Sequence, residues 1–262
     1  MHYFIFFLAC CLTHKVAAQY HEGSKAYSMG GATVAVDGKS ILLGNPASQK
    51  VDEFLFSTAR YSTIRGLNRL GFAAHKSHKQ LSIETGVQRF GDLLASSDLI
   101  YAGFSHKIGP TSLGLRINLD QFRAEGFNTI YNFSFSAGGI TRLTKSISFG
   151  AYADRLSWRT APENESIMPV RLVAGLAFDL SSNLTTAISF FQELNEAPVL
   201  RTGLEYKAAP SVKLRVGNSF FPAGIFAGAG VTYWKLVIDL AGSYRQHEGL
   251  VVQATAGYRY NQ

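Results

Sequence analysis

A period of two runs through this chain from about Phe54 to Tyr260. Apolar and polar residues alternate in run after run, with short turn-forming clusters between the runs. In Leu113–Asp120 every odd position is a branched aliphatic, and every even one is small, polar or charged. In Val170–Asp179, residues Val170, Leu172, Ala174, Leu176 and Phe178 share one face, while Arg171, Gly175 and Asp179 share the other. Side chains of a strand point alternately to opposite faces. Each run is therefore a strand with one face that wants hydrocarbon and one that tolerates water. What the oily face touches decides the fold.

Composition narrows that choice. The chain is 47% hydrophobic and 13% aromatic, yet only 16% charged, with mean hydropathy +0.05. Low charge and many aromatics without long apolar runs fit a transmembrane barrel better than a soluble domain. An oily face on this many strands also exceeds what one sandwich core needs. Formal net charge is +7. Lysine and arginine are scattered, mostly one per strand or turn, without the cluster that a phosphate backbone requires. No nucleic-acid partner is expected.

Fourteen strands are expected, centred near Ser57, Ala73, Thr85, Ala102, Ile117, Ser136, Ala151, Gly175, Ile188, Leu204, Leu214, Gly230, Leu240 and Thr255. This leaves about fifteen residues for each tilted membrane strand and its turn. Alternate connections are short and rich in turn formers, as in Ile108–Thr111, Leu180–Asn183 and Ala208–Ser211. The others are generally longer, such as Arg159–Pro169 and Gly91–Ser97. An unpaired backbone group costs several kcal/mol in lipid, so the sheet must close. The end, Gly257–Tyr260, alternates aromatics and resembles the assembly signal of outer-membrane barrels. Tyr61, Phe90, Phe122, Trp158, Tyr206, Tyr233, Trp234 and Tyr244 near strand ends are expected to form interfacial girdles.

Residues 1–18 read as a secretory signal peptide. An apolar run, Tyr3–Leu12, precedes the small-residue cleavage site Val16-Ala17-Ala18. The run is far short of the roughly 20 apolar residues of a spanning helix. Both cysteines, Cys10 and Cys11, fall within it, so the mature chain would hold no disulfide and no thiolate. Residues 19–50 depart from the alternation. They are rich in small residues and form a separate segment ahead of a barrel at residues 51–262.

Two stretches of that segment, Ala26-Tyr-Ser-Met-Gly-Gly-Ala32 and Asn45-Pro-Ala47, resemble the opening of FadL-like outer-membrane β-barrels. They are most similar to the Bacteroidota PorV/PorQ family. Gly203–Tyr206, Leu214–Gly217 and Leu236–Tyr244 resemble strand signatures of the same branch. The resemblance implies an all-β transmembrane antiparallel barrel of about fourteen strands, with residues 19–50 as an N-terminal hatch segment folded into the lumen. It also implies a cell outer membrane location, with outer-membrane lipid around the barrel. Passive transport of small or hydrophobic molecules is the first function implied, with a hydrophobic small-molecule ligand. The alternative is a non-enzymatic accessory barrel in a type IX secretion or other large surface-assembly complex. Gly30, Gly31, Asn45, Pro46 and Ala47 are the hatch or gate candidates. The chain departs from the family in being shorter, with brief outer loops.

Parity alone points a set of polar residues inward. The lumen-lining candidates are Arg116, Asp120, Asp154, Arg171, Asp179, Arg201, Glu205, Arg215, Asp239 and Arg259. Both signs occur, as in an ion-pair network or a pore lining. Leu115 on the opposite face predicts a loss of about 2–4 kcal/mol for Leu115→Arg, and a milder effect for Arg116→Leu. No cofactor, metal or catalysis is expected. The histidines are scattered, and His75 and His78 share a turn with no carboxylate nearby in sequence. No Ser-His-acid order or metal spacing stands out. Gly138-Gly139 and Gly224–Gly230 lie in strand-like sequence without the lysine and helix of a phosphate loop.

Overall fold

A computed structural model describes residues 22–36, 38–63, 66–157, 169–194, 196–245 and 248–260. The expected signal peptide and Trp158 lie outside them. The strands are β1 (Glu53–Tyr61), β2 (Asn68–His78), β3 (Leu81–Gly91), β4 (Ala95–Ile108), β5 (Thr111–Ala124), β6 (Ile130–Arg142) and β7 (Ile147–Leu156). They continue with β8 (Arg171–Ser181), β9 (Leu184–Glu193), β10 (Val199–Ala209), β11 (Val212–Phe220), β12 (Gly224–Tyr233), β13 (Leu236–Arg245) and β14 (Gly249–Arg259). Each pairs antiparallel with its neighbours in sequence. Pairing of β1 with β14, from Glu53 opposite Arg259 to Tyr61 opposite Val251, closes the barrel.

Every predicted centre falls within its strand. Alternation is a local property, and a strand with one wet and one oily face displays it directly. In β5, Ser112, Gly114, Arg116, Asn118 and Asp120 are buried inside, while Leu113, Leu115, Ile117 and Leu119 point out. The expected loop Gly91–Ser97 is mostly strand: β4 already begins at Ala95. Asp92 accepts from the Leu94 and Ala95 N–H groups, both at 2.8 Å, and so folds the turn tightly.

The outward residues are large, apolar and exposed: Phe56 by 52%, Ile117 by 53%, Leu172 by 54% and Ile238 by 54%. An apolar band encircling the whole molecule far exceeds the patches that soluble proteins expose. Hydrocarbon chains are the surroundings that fit it, and strands of nine to fourteen residues are long enough to cross.

At one end the connections are tight: residues 79–80, 109–110, 182–183, 210–211 and 234–235, and the slightly longer 143–146. The start of β1 and the end of β14 lie at this turn end. Tyr206, Tyr233 and Trp234 are exposed on the outer surface there, and Tyr244 is exposed near the opposite end. Tyr61, Phe90 and Phe122 are a correction to the girdle. Their parity in β1, β3 and β5 turns them inward, and Tyr61 and Phe90 pack together beneath Arg69. A register irregularity between β6 and β7 near Ala137 breaks the alternation within the sheet, and two more lie at the turn-end tips of β8 and β10. Asp154 and Arg155 are consecutive yet both buried, with Arg155 at φ 60°.

Candidate functional site: the plugged lumen

The described residues between 22 and 50 run inside the barrel. A single helical turn, α1 (Ser24–Ser28), packs against β11–β14, and the chain then winds around the wall to β1. Of the described residues in this plug only Lys39 is exposed. A backbone can lie so close to a wall only if the wall lacks side chains there. Inward positions on successive strands supply this. A Cβ on Gly114 would strike the Pro46 carbonyl, one on Gly138 the Asn45 amide, and one on Gly150 the Val34 carbonyl. Farther round, Gly175 would meet Val34 Cγ1 at 2.7 Å, Gly203 the Met29 carbonyl at 2.6 Å, and Gly228 Ser28 Cβ at 2.5 Å. Strand β9 places Ala187 at this belt. Small wall residues thus form a track for the plug.

Short hydroxyls fix the plug along that track. Ser24 Oγ and Thr255 Oγ1 lie 2.9 Å apart, and Tyr27 Oη and Ser243 Oγ 2.5 Å apart. Gln49 donates to Ser112 Oγ at 2.8 Å, and Ser112 Oγ donates to the Ala47 carbonyl at 2.6 Å. Tyr101 donates to the Leu42 carbonyl at 2.7 Å. The bonds to the Ala47 and Leu42 carbonyls satisfy backbone groups that the irregular plug does not pair within itself.

The gate candidates all touch the wall. Gly30, at φ 66°, sits against the backbone of Asn218 and Thr202, where a side chain has neither the space nor the backbone preference. Gly31 lies beneath the Arg201 guanidinium. Asn45 Nδ2 donates to the Val34 carbonyl at 3.0 Å and to the Gly139 carbonyl at 3.2 Å. Its Oδ1 accepts from Ala47 N–H at 3.0 Å, which folds the turn through Pro46.

Several lumen candidates converge. Arg116 Nη2 is 3.2 Å from Asp154, and Arg171 reaches the same carboxylate at 3.0 Å. Ser136 Oγ also donates to Asp154, at 2.5 Å. Arg116 Nη1 lies 3.4 Å from Glu84 and donates to the plug's Gly44 carbonyl at 2.8 Å. Lys50 of the plug completes the chain at 3.4 Å from Glu84. A second group joins Arg215 to Glu205 and Asp239, each at 2.6 Å, with Lys213 on Glu205 at 2.8 Å. Arg259 stands 3.6 Å from Glu53 and donates to Ser40 Oγ of the plug at 3.2 Å.

The rest lie outside these groups. Asp120 is fully buried in the wall. Arg201 lies over the Phe191 ring, 4.0 Å from its centre. Asp179 shares the inward parity of Arg171, but sits at the turn end, exposed, and accepts from Thr185 Oγ1 at 2.9 Å. It lies on the rim and not within the lumen. His75 is also corrected. It is inside β2, buried, and its Nδ1 is 3.3 Å from Glu53 Oε1. Glu84 was open to the same parity reading that found Arg116. Lys50 and Glu53 were not, because they stand where the alternation begins.

One arc of the boundary between plug and wall is apolar. Met29, Ala32, Val34, Ala35 and Val36 pack on Tyr152, Val173, Ala177, Ala187 and Phe191 of β7–β9. Near it, burial pushes the Glu22 carboxyl above the usual carboxylate range, against the pull of Arg171 and Arg201. Among the described residues no three His, Cys, Asp or Glu side chains gather as a metal site.

No protein-family model and no curated protein matches the sequence. Solved structures do match. The Pseudomonas putida toluene transporter TodX is 14% identical with a TM-score of 0.66, covering 93% of this chain and 98% of that one. A TodX deltaS2S3 mutant, a monoaromatic hydrocarbon channel, is 12% identical with a TM-score of 0.67, covering 91% and 99%. A Pseudomonas aeruginosa FadL homologue is 10% identical with a TM-score of 0.67, covering 93% and 99%. Kinship with the PorV/PorQ branch, and a place in a type IX complex, rest on the sequence motifs alone. What is shared at these identities is architecture: the chain folds as a FadL-like barrel, closed, antiparallel and fourteen-stranded.

Proposed function

We propose that this protein is a passive outer-membrane channel for small hydrophobic molecules, with residues 22–50 as its gate. The observation that carries this reading is that wall and plug are separate structures. The wall closes through its own β1–β14 pairing and owes no ladder bond to the plug. The plug is held by side-chain hydrogen bonds, a few ion pairs and close packing, so it can shift without opening the sheet. Its apolar arc on β7–β9 is the part of the boundary that a hydrocarbon can enter without stranding a buried charge. The structural likeness to a toluene transporter and a monoaromatic hydrocarbon channel supports that ligand class.

A reversible tether tests the gate. Ser24 and Thr255 touch through their hydroxyls, so Ser24→Cys with Thr255→Cys places two thiols within bonding reach. Uptake of a radiolabelled aromatic hydrocarbon is measured in cells with a lipopolysaccharide outer membrane and no hydrocarbon channel of their own. Uptake above the empty-vector level, lost on oxidation and restored by reductant, supports the reading. Uptake unaffected by the tether removes the gate, and uptake no greater than in empty cells removes the channel.

A further inference from the structure

The lysines of the barrel are sorted by end. Lys76, Lys79, Lys107, Lys145, Lys207, Lys213 and Lys235 all lie at the turn end, and the described opposite end has none. That opposite end uses arginine and mixes it with acid, as where Arg89 and Arg123 share Asp98 at 3.8 and 2.8 Å. The turn end is not balanced in this way. Of its carboxylates, Glu205 is held by Lys213 and Arg215, Asp52 accepts from Ser77 N–H, and Asp179 accepts from Thr185. Lys76, Lys79, Lys107, Lys145 and Lys207 are exposed and form no ion pair among the described residues. Lys39, the exposed residue of the plug, belongs to the same end, since its neighbour Ser40 is bonded to Glu53 and Arg259.

The level of these lysines is marked by aromatics. Outward-facing Tyr206 lies between Glu205 and Lys207, which take the inward parity of β10, and the Lys235 ammonium lies 5.5 Å from the centre of the Trp234 ring. Exposed tyrosine and tryptophan sit where hydrocarbon gives way to headgroups. From that level the outward-facing Lys76 and the turn residues Lys79, Lys145 and Lys235 reach the phosphates on flexible stems, while Lys107 and Lys207 stand at the inner edge of the same rim. The cations are also spread over the turns β2–β3, β4–β5, β6–β7, β10–β11 and β12–β13. Such a ring fits a surface that surrounds the barrel, not one compact ligand.

We propose that the turn end binds the anionic phospholipid headgroups of the leaflet it meets, so that acidic lipids collect around that rim. The proposal rests on the lipid-facing reading of the exterior. The full barrel is reconstituted in phosphatidylcholine vesicles with a trace of spin-labelled phosphatidylglycerol or phosphatidylcholine, and the motionally restricted fraction of each label is measured. Insertion is scored separately, as heat-modifiable gel mobility, so a barrel that never enters the membrane is told apart from one without lipid preference. The inserted protein is expected to favour phosphatidylglycerol by about twofold or more. The preference should fall towards one in K76Q/K79Q/K107Q/K145Q/K207Q and at about 1 M salt, while R89Q/R123Q at the opposite end retains it. An inserted barrel with no preference, a preference unchanged in the lysine variant, or equal loss in the arginine variant overturns the proposal.

Discussion

Arg116 separates what parity implies from what packing requires. Read from sequence, Arg116→Leu is a mild change on a water-tolerant face. In the folded barrel its guanidinium lies between Glu84 and Asp154 and also holds the Gly44 carbonyl, and all are buried. Removing one partner of a buried ionic group costs about 3–5 kcal/mol, because the charge left behind is neither solvated nor paired. Here each carboxylate keeps some support: Asp154 retains Arg171 at 3.0 Å, and Glu84 retains Lys50 at 3.4 Å. The expected loss is therefore near the lower bound, about 3 kcal/mol. That equals the about 2–4 kcal/mol expected for Leu115→Arg on the lipid face, so the two neighbours should be similarly harmful for opposite reasons. Urea titration of vesicle-inserted protein, scored by heat-modifiable mobility, measures both. Pairing Arg116→Leu with Asp154→Asn should show a coupling of about 1 kcal/mol or more. A loss below about 1 kcal/mol for Arg116→Leu, or additive losses in the pair, would refute the network.

Two further outcomes follow from the plug. Gly150→Leu sets a side chain on the Val34 carbonyl, so the wall should still fold while the plug is expelled; trypsin should then cut after Lys25, Lys39 or Lys50 at least ten times faster. Glu22 favours its protonated form when docked, because burial raises its carboxyl above the ordinary 4.5. Docking strength from this group is full below that value and is lost as pH rises through the docked one. Protection of the plug from protease should thus weaken as pH rises above 4.5 in the native chain, and this pH dependence should shrink in Glu22→Gln.

The ribbon is legible along the chain: fourteen strands, most of their turns and, away from the irregularity near Ala137, the face a strand residue takes. Alternation needs only neighbours along the chain, so Leu115 and Arg116 are assigned by inspection, and the motif from Ala26 to Ala32 marks a segment outside the ladder. Which inward residues meet depends on the closed barrel. Glu84, Arg116, Asp154 and Arg171 belong to four strands, and they meet because barrel closure and register bring those strands to one side of the lumen. The same holds for Gly114, Gly138, Gly150 and Gly203. Each reads locally as a weak spot in a strand, and only the path of the plug shows that together they leave room for it. Asp179 and Tyr61 make the point from the other side. Parity sets the direction of a side chain, but its depth along the barrel, and what fills the space opposite, are long-range properties of the closed sheet.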